Sequence, residues 1–200
     1  MQVNDARHFD PESTSTLIRS RRSVFVNQFI PGKQIPDEII SQILENANWA
    51  PTHKQTEPWR FTVFSGKGLE NLATFQASLY KSSSGEKFKE DKYQKLLTNP
   101  LKCSHIISIG LKRTPDSVPE MEEIAAVACA VQNIYLSVTA YGLGGYWTTG
   151  GVTYVQEAKS FFNLNIEDIL MGFFYLGYVA IPSPPGSRKP IAEKTFWVRE

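Results

Sequence analysis

The chain has little of what a secreted, metal-binding or nucleic-acid-binding protein needs. Its 200 residues include two cysteines, Cys103 and Cys129, which form neither a zinc-type spacing nor a disulfide-rich pattern. We therefore expect both to be buried free thiols in a reducing compartment. The formal net charge is only +1, which favours neither nucleic-acid binding nor electrostatic attachment to a membrane. We accordingly expect neither nucleic acid nor membrane as a partner.

Long hydrophobic runs are also missing. The most apolar stretch, residues 124–141, is interrupted by Gln132, Asn133 and Ser137. A membrane-spanning segment needs about 20 nearly uninterrupted apolar residues, so this stretch is typical of a buried helix. Residues 1–10 are polar and lack the apolar core of a signal peptide. These absences predict a soluble, cytoplasmic protein.

Obvious catalytic groups are scarce as well. The three histidines, His8, His53 and His105, have no metal-ligand spacing, so we expect no metal site. His105 opens an apolar strand, where a hydrogen-bonded core or edge histidine is expected. No nucleophile–base motif appears, and the only acid in the loop that contains His53 is Glu57. Aromatic residues beside glycines and basic loops suit a planar, anionic cofactor that brings its own chemistry.

Hydrophobic periodicity predicts a single α+β domain over residues 1–200. We expect residues 1–10 to form a flexible N-terminal arm and residues 182–200 a C-terminal extension. Predicted helices open at Asp10–Pro11 and cover residues 36–49, 66–80, 86–97, 120–141 and 154–163; predicted strands cover 61–64, 103–111 and 169–180, with a short strand after a tight turn at Gly144–Gly145.

The helix over residues 120–141 is apolar on more than one face. Such a helix lies either at the centre of a fold or at a subunit interface. We expect a homodimer, and we expect Val131→Asp or Tyr135→Asp in this helix to yield monomer, aggregate or apoprotein.

A polar loop over residues 50–59 separates the second helix from the first strand. Pro51 and Pro58 bracket it and fix where the helix and the strand end, because proline lacks an amide donor and pushes its predecessor towards extended geometry. The loop presents His53, Lys54 and Gln55 from a rigid frame, which is where binding residues often lie. A plain connector with a solvated face is the alternative interpretation.

A basic cluster ends the first helix. Arg19, Arg21 and Arg22 are followed by Ser23. Arginines near a helix C-terminus complement the helix dipole, which is one interpretation. The other is anion binding, because the planar guanidinium matches a phosphate and serine adds a hydroxyl donor.

Glycines crowd the segment of residues 142–151. Gly150 and Gly151, just after Trp147, allow the backbone to approach a flat ligand closely, although two simple turns would use the same residues. Neither a strand–GxGxxG–helix context nor a GK[ST] ending is present, so a glycine-rich phosphate loop is not indicated.

Five short motifs follow one another along the chain: Arg-x-Ser at residue 21, Ala-Pro-Thr…Pro-Trp-x-Phe from residue 50, Gly-Leu-Gly-Gly-x-Trp-x-x-Gly from residue 142, Gly-Phe-x-Tyr-Leu-Gly from residue 172 and Arg-Lys-Pro at residue 188. Taken together and in this order, they resemble the FMN-dependent nitroreductase family. They span Leu17 to Trp197, and Ala-Pro-Thr-His-Lys resembles the short branch of that family. The resemblance implies a nitroreductase-like α+β fold, with a small mixed, mainly antiparallel sheet among helices. It also implies an intertwined homodimer with one FMN at each interface.

The resemblance also implies a set of site residues. Arg21, Ser23 and Arg188 match phosphate contacts, the Gly150 amide matches the group that faces flavin N5, and His53 is the one candidate catalytic residue. The positions predicted to bind the cofactor are Arg21, Arg22, Ser23, Trp49, His53, Gln55, Trp147, Thr148, Thr149, Gly150, Gly151 and Arg188.

The implied activity is hydride transfer from NAD(P)H through flavin N5 to a small oxidised acceptor such as a nitroaromatic or a quinone, in ping-pong order. A flavin-binding storage or sensor protein without turnover is the alternative, and a helical interaction module is a third class. Four positions depart from the family pattern, namely Phe25, Gln55, Glu57 and Thr148. Thr148 stands where the short branch usually has arginine, which leaves the preference between NADH and NADPH open.

Overall fold

The computed structural model describes residues 9–200, so His8 and most of the predicted N-terminal arm lie outside the described residues. The helices are α1 Pro11–Ser20, α2 Asp37–Asn48, α3 Lys67–Ser83, α4 Glu90–Thr98 and α5 Glu120–Ala140. The strands are β1 Trp59–Ser65, β2 His105–Leu111, β3 Leu143–Thr148 and β4 Ile169–Tyr178. The predicted α+β class is therefore confirmed.

The four strands form one sheet in the order β1-β2-β4-β3, and each neighbouring pair is antiparallel. Successive side chains of the two central strands point to opposite faces, and both faces are covered. Ile107 and Phe174 pack with α2 and α5, whereas Ile106 and Phe173 pack with α3 and the turns near Phe162. The near-continuous apolar run of residues 169–180 reflects this two-sided burial.

Local sequence signals set several helix ends. The Asp10 carboxylate caps α1 by accepting the backbone N–H groups of Glu12 and Ser13, at 3.3 and 2.8 Å. The Ser13 hydroxyl contact and these amides lower the pKa of Asp10. Both α2 and α5 begin directly after a proline, with two or more acids in the first turn.

The tight turn expected at Gly144–Gly145 is wrong, since both glycines lie inside β3. The chain turns instead at Gly142, whose φ is +67°. A Cβ on Gly145 would lie 2.8 Å from the Tyr175 carbonyl oxygen, so glycine is needed here for close packing of two strands. The helix expected over residues 154–163 is shorter, because Gln156–Phe162 forms 3-10 turns that end at left-handed Asn163.

Helix α5 packs one face against α2 and the sheet. Val131 is 1% exposed, and the Tyr135 ring meets Phe174 edge-on at 4.7 Å. Val131 therefore packs inside a single chain and Tyr135 is half-buried in it, so the effect of substituting either residue on dimer formation stays a prediction. Within residues 9–200, α5 is the one helix whose length and composition would allow it to cross a membrane.

The opposite face of α5 is open. Met121, Ala125, Cys129 and Gln132 are exposed along it at helical spacing, and we call this set the outer stripe. Cys129 thus corrects the prediction of two buried thiols, while Cys103 is buried as expected. The C-terminal extension is also open, with Phe196 94% exposed.

Candidate active site

A basic cleft of about 600 Å³ lies where α1 ends, and it is lined by Ile18, Arg19, Arg21, Arg22, Gln132, Gly186 and Arg188. The Arg21 guanidinium stacks over the Tyr135 ring, with its central carbon 4.9 Å from the ring centroid. Within residues 9–200, no salt bridge involves any arginine of this cleft. The cleft therefore holds uncompensated positive charge, which suits an anion.

Arg22 differs from Arg21 in what its guanidinium does. Its Nη1 donates to the carbonyl oxygens of Arg19 and Arg21, at 2.7 and 2.8 Å. Its Nε donates to Pro184 O at 3.3 Å, and a Cβ on Gly186 would lie 2.7 Å from its guanidinium carbon. Arg22 therefore fastens the C-terminal extension to the end of α1, and its role in binding a cofactor stays a prediction.

Tyr135 connects the basic cleft to the glycine segment. Its hydroxyl accepts the backbone N–H of Trp147 at 2.7 Å, on the strand that follows α5. The Val24 N–H donates to Gly145 O at 3.0 Å, which brings Ser23 beside the same strand. Sequence periodicity marked Tyr135 only as an apolar helix position, and its hydroxyl was the one signal that could have suggested this contact.

The segment Trp147–Gly151 forms a ledge at the end of β3. The Trp147 indole donates to Met171 O at 2.9 Å, which fixes the ring against β4. Thr148 Oγ1 accepts the Gly150 N–H at 3.2 Å. Gly150 is exposed and Gly151 has a φ of +65°, so the backbone here is bare and sharply turned.

A small apolar cavity of about 220 Å³ opens beside the ledge. It is lined by Ile124, Trp147, Thr149, Thr153, Tyr154, Ile169, Leu170 and Met171. The cavity places apolar surface next to the segment that was predicted to follow a flat ring.

The loop that contains His53 is backbone-strained. Lys54, Gln55 and Glu57 all have positive φ, at 51°, 53° and 43°, which is uncommon for residues with side chains. His53 Nδ1 contacts Glu122 Oε2, and Lys54 Nζ donates to Ser117 O at 2.8 Å. Both contacts hold the loop against the N-terminal end of α5.

The predicted site residues therefore form two groups within one chain. Glu122, beside His53, and Tyr135, beside Arg21, are thirteen residues apart on α5, which corresponds to about 20 Å. Trp49 is 79% exposed and donates its indole N–H to Glu45 at 3.0 Å, on the side of the His53 loop. Gln55 is exposed in the same loop. Residues 9–200 contain no cluster of side chains that could hold a metal ion.

A buried histidine lies outside both groups. His105 Nε2 is 3.1 Å from Asp37 Oδ1, and its Nδ1 is 2.9 Å from Ser104 Oγ. It is 1% exposed, which confirms its interpretation as a hydrogen-bonded core residue.

Comparison with known proteins identifies what this arrangement resembles. Residues 18–178 match the model of the nitroreductase family. The Bacillus subtilis (strain 168) protein named "Putative NAD(P)H nitroreductase YfhC" is 27% identical over 179 residues, which cover 89% of this chain and 90% of that protein.

Solved structures share the fold as well. A nitroreductase-like family protein from Bacillus cereus has a TM-score of 0.81 at 26% identity, covering 96% of this chain and 98% of that one. The FMN-dependent nitroreductase NfnB from Mycobacterium smegmatis, solved in complex with NADPH, has a TM-score of 0.71 at 18% identity. That match covers 94% of this chain and 99% of that one.

Proposed function

The chain belongs to the nitroreductase family, and on that basis we propose that it is an FMN-dependent oxidoreductase. It would use NAD(P)H to reduce a small oxidised acceptor such as a nitroaromatic or a quinone. The observation that carries this proposal is the continuous path from the basic cleft, through Tyr135, to the bare ledge at Gly150.

The residues along this path fit FMN. A phosphate dianion would find two guanidinium groups, of Arg21 and Arg188, in a cleft without carboxylate partners among the described residues. The exposed, side-chain-free backbone at Gly150 allows close approach of a flat ring. When bound, FMN would supply the hydride chemistry at N5, passing reducing equivalents from NAD(P)H to the acceptor in ping-pong order.

The protein's own residues would bind FMN and orient its ring. Arg21 and Arg188 would neutralise the phosphate, and Ser23 would add a hydroxyl donor. The Gly150 N–H would face the ring, which requires it to exchange or share its present acceptor, Thr148 Oγ1. The apolar cavity beside Trp147 would keep water away from the reacting face.

We further propose an intertwined homodimer. The outer stripe of α5 is exposed and is not covered by any part of residues 9–200. No residue of α1 is buried either. Trp197 is 74% exposed in the C-terminal extension. Since the His53 loop lies about 20 Å along α5 from the basic cleft, a second copy would bring that loop over the FMN held by the first. His53 then borders the ring without being required as a base.

Purification with flavin analysis tests the proposal. We expect a yellow protein that releases FMN, not FAD, on heating and that oxidises NADPH or NADH when an acceptor is supplied. A colourless protein that fails to bind added FMN would overturn the proposal. Bound FMN without turnover across a panel of nitroaromatics and quinones would favour storage or sensing instead.

A further inference from the structure

One buried polar side chain behind the ledge has no partner. Gln76, on α3, is 0% exposed, and neither Oε1 nor Nε2 of its amide makes a hydrogen bond within residues 9–200. A buried amide without a partner is costly, and it is rare in native proteins. Its neighbours on α3 are apolar, with Leu72 and Ala73 in the core. The unfavourable free energy of burying this amide without a partner therefore needs an explanation.

The amide lies directly behind the ledge. A Cβ built on Gly151 would overlap Gln76 Oε1 and would lie 3.5 Å from Leu96 Cδ2. Gly151 also has a φ of +65°, which disfavours any side chain. Two independent features, the backbone conformation and the close approach of Gln76, thus require glycine at this position.

Few groups can pair with the Gln76 amide. The Gly150 N–H is taken by Thr148 Oγ1, and the Gly150 carbonyl accepts from Thr153 Oγ1 at 2.7 Å. The N–H and carbonyl of Gly151 make no hydrogen bond among the described residues. They are therefore free backbone groups beside the amide, since a Cβ on Gly151 would overlap Gln76 Oε1.

The Tyr175 hydroxyl is a further polar neighbour of the amide, and it stays neutral. Burial raises the pKa of Tyr175, nearby Tyr146 and Cys103 raise it further, and the Gln76 amide offsets this only in part. Tyr175 therefore keeps its O–H group, which can hydrogen-bond to the Gln76 amide. It carries no charge that would hold the amide in one orientation.

We propose that Gln76 is a positioning residue for the cofactor ledge. Its amide pairs with the Gly151 peptide when FMN settles on the ledge, and so fixes the direction of the Gly150 N–H towards the ring. Without the cofactor the amide has only weak support from the neutral Tyr175 hydroxyl, and with the cofactor it gains the Gly151 peptide as a partner. This inference rests on the proposed function, because it assigns a role to the ledge that FMN is proposed to occupy.

The test is a crossed comparison of apoprotein stability and FMN binding. Gln76→Met keeps the length of the side chain and removes the amide, so the apoprotein melting temperature should stay equal or rise. The dissociation constant for FMN, measured by fluorescence quenching, should increase about fivefold or more. The midpoint potential of bound FMN should also shift, because the Gly150 N–H is no longer held in one direction.

Gln94→Met is the matched control. The Gln94 side chain is exposed on α4, and within residues 9–200 its amide donates only to Glu90 Oε1, at 2.7 Å, so its substitution should change neither the FMN affinity nor the potential. Gln76→Leu serves as a second apolar variant if Gln76→Met does not fold.

Unchanged FMN affinity and potential in a folded Gln76 variant would overturn the inference. A lowered apoprotein melting temperature with wild-type FMN affinity would do the same, since the amide would then be paired before the cofactor binds. Failure of the wild-type protein to bind FMN is a different result, because it would overturn the proposed function itself.

Discussion

Replacing Arg21 by alanine is the sharpest test of the basic cleft. The Arg21 guanidinium stacks on Tyr135 and has no salt-bridge partner within residues 9–200, so its charge is free for a ligand. Arg22, its neighbour, donates instead to three backbone carbonyl oxygens. The two arginines are adjacent in the chain, but their guanidinium groups have different contacts.

The magnitude follows from the bond that would be lost. A hydrogen bond to a charged group is worth about 1.5–3 kcal/mol, so Arg21→Ala should raise the dissociation constant for FMN about 10- to 150-fold. Arg21 and Tyr135 are both half-buried, so loss of their contact costs about 0.5–2 kcal/mol of folding stability. The apoprotein should therefore melt close to the wild-type temperature.

Arg22→Ala should show the reverse pattern. It leaves the carbonyls of Arg19, Arg21 and Pro184 without their donor, so the apoprotein should melt lower while FMN affinity changes little. FMN titration by fluorescence quenching at about 0.1 M salt, together with thermal unfolding of both apoproteins, separates the two effects. An Arg21→Ala protein that binds FMN within twofold of wild type would refute the assignment of the phosphate to this cleft.

Four further predictions address the loop, the nucleotide, the assembly and the core. His53→Ala should keep FMN bound but lower kcat/KM for the acceptor, because His53 is proposed to border the ring without holding it; unchanged steady-state kinetics would contradict this. Thr148→Arg should shift preference towards NADPH, since an added cation can pair with the 2′-phosphate; kcat/KM for both nucleotides measures it, and a strong wild-type NADPH preference that the substitution leaves unchanged would count against it. Ala125→Asp places a charge in the outer stripe and should give monomers or apoprotein in sedimentation, whereas a fully loaded dimer would argue against that interface. Burial raises the pKa of the Cys103 thiol from its ordinary value of 9.0 to about 12. The unfolded chain therefore loses this proton first, and the free energy of unfolding should fall between about pH 9 and 12, by at most about 1.4 kcal/mol per pH unit. Cys103→Ala should reduce this loss of stability in denaturant titrations. An unaltered pH profile would show that ionisation of Cys103 does not cause it.

Local sequence determined the elements of this fold. The Asp10 cap, the prolines before α2 and α5 and the apolar runs of β2 and β4 act over a few residues, so pattern alone located them. The basic cluster and the glycine segment were located in the same way, because their composition is local. The turn misplaced at Gly144–Gly145 shows the limit. Glycine is required there because the neighbouring strand leaves no space for a Cβ. Local sequence does not show which strand will be the neighbour.

Only the tertiary structure decided which polar groups are free. Arg21 and Arg22 are alike in sequence, yet Arg22 is engaged because Pro184, 162 residues away, lies against it. The side chains of Tyr135 and Gln76 contact β3 and the loop after it, so their surroundings are not set by the helices that carry them. The separation of the His53 loop from the basic cleft likewise follows from the length of α5. Periodicity specifies which face of an element is buried, whereas the pairing of polar groups depends on segments that meet only when the chain folds.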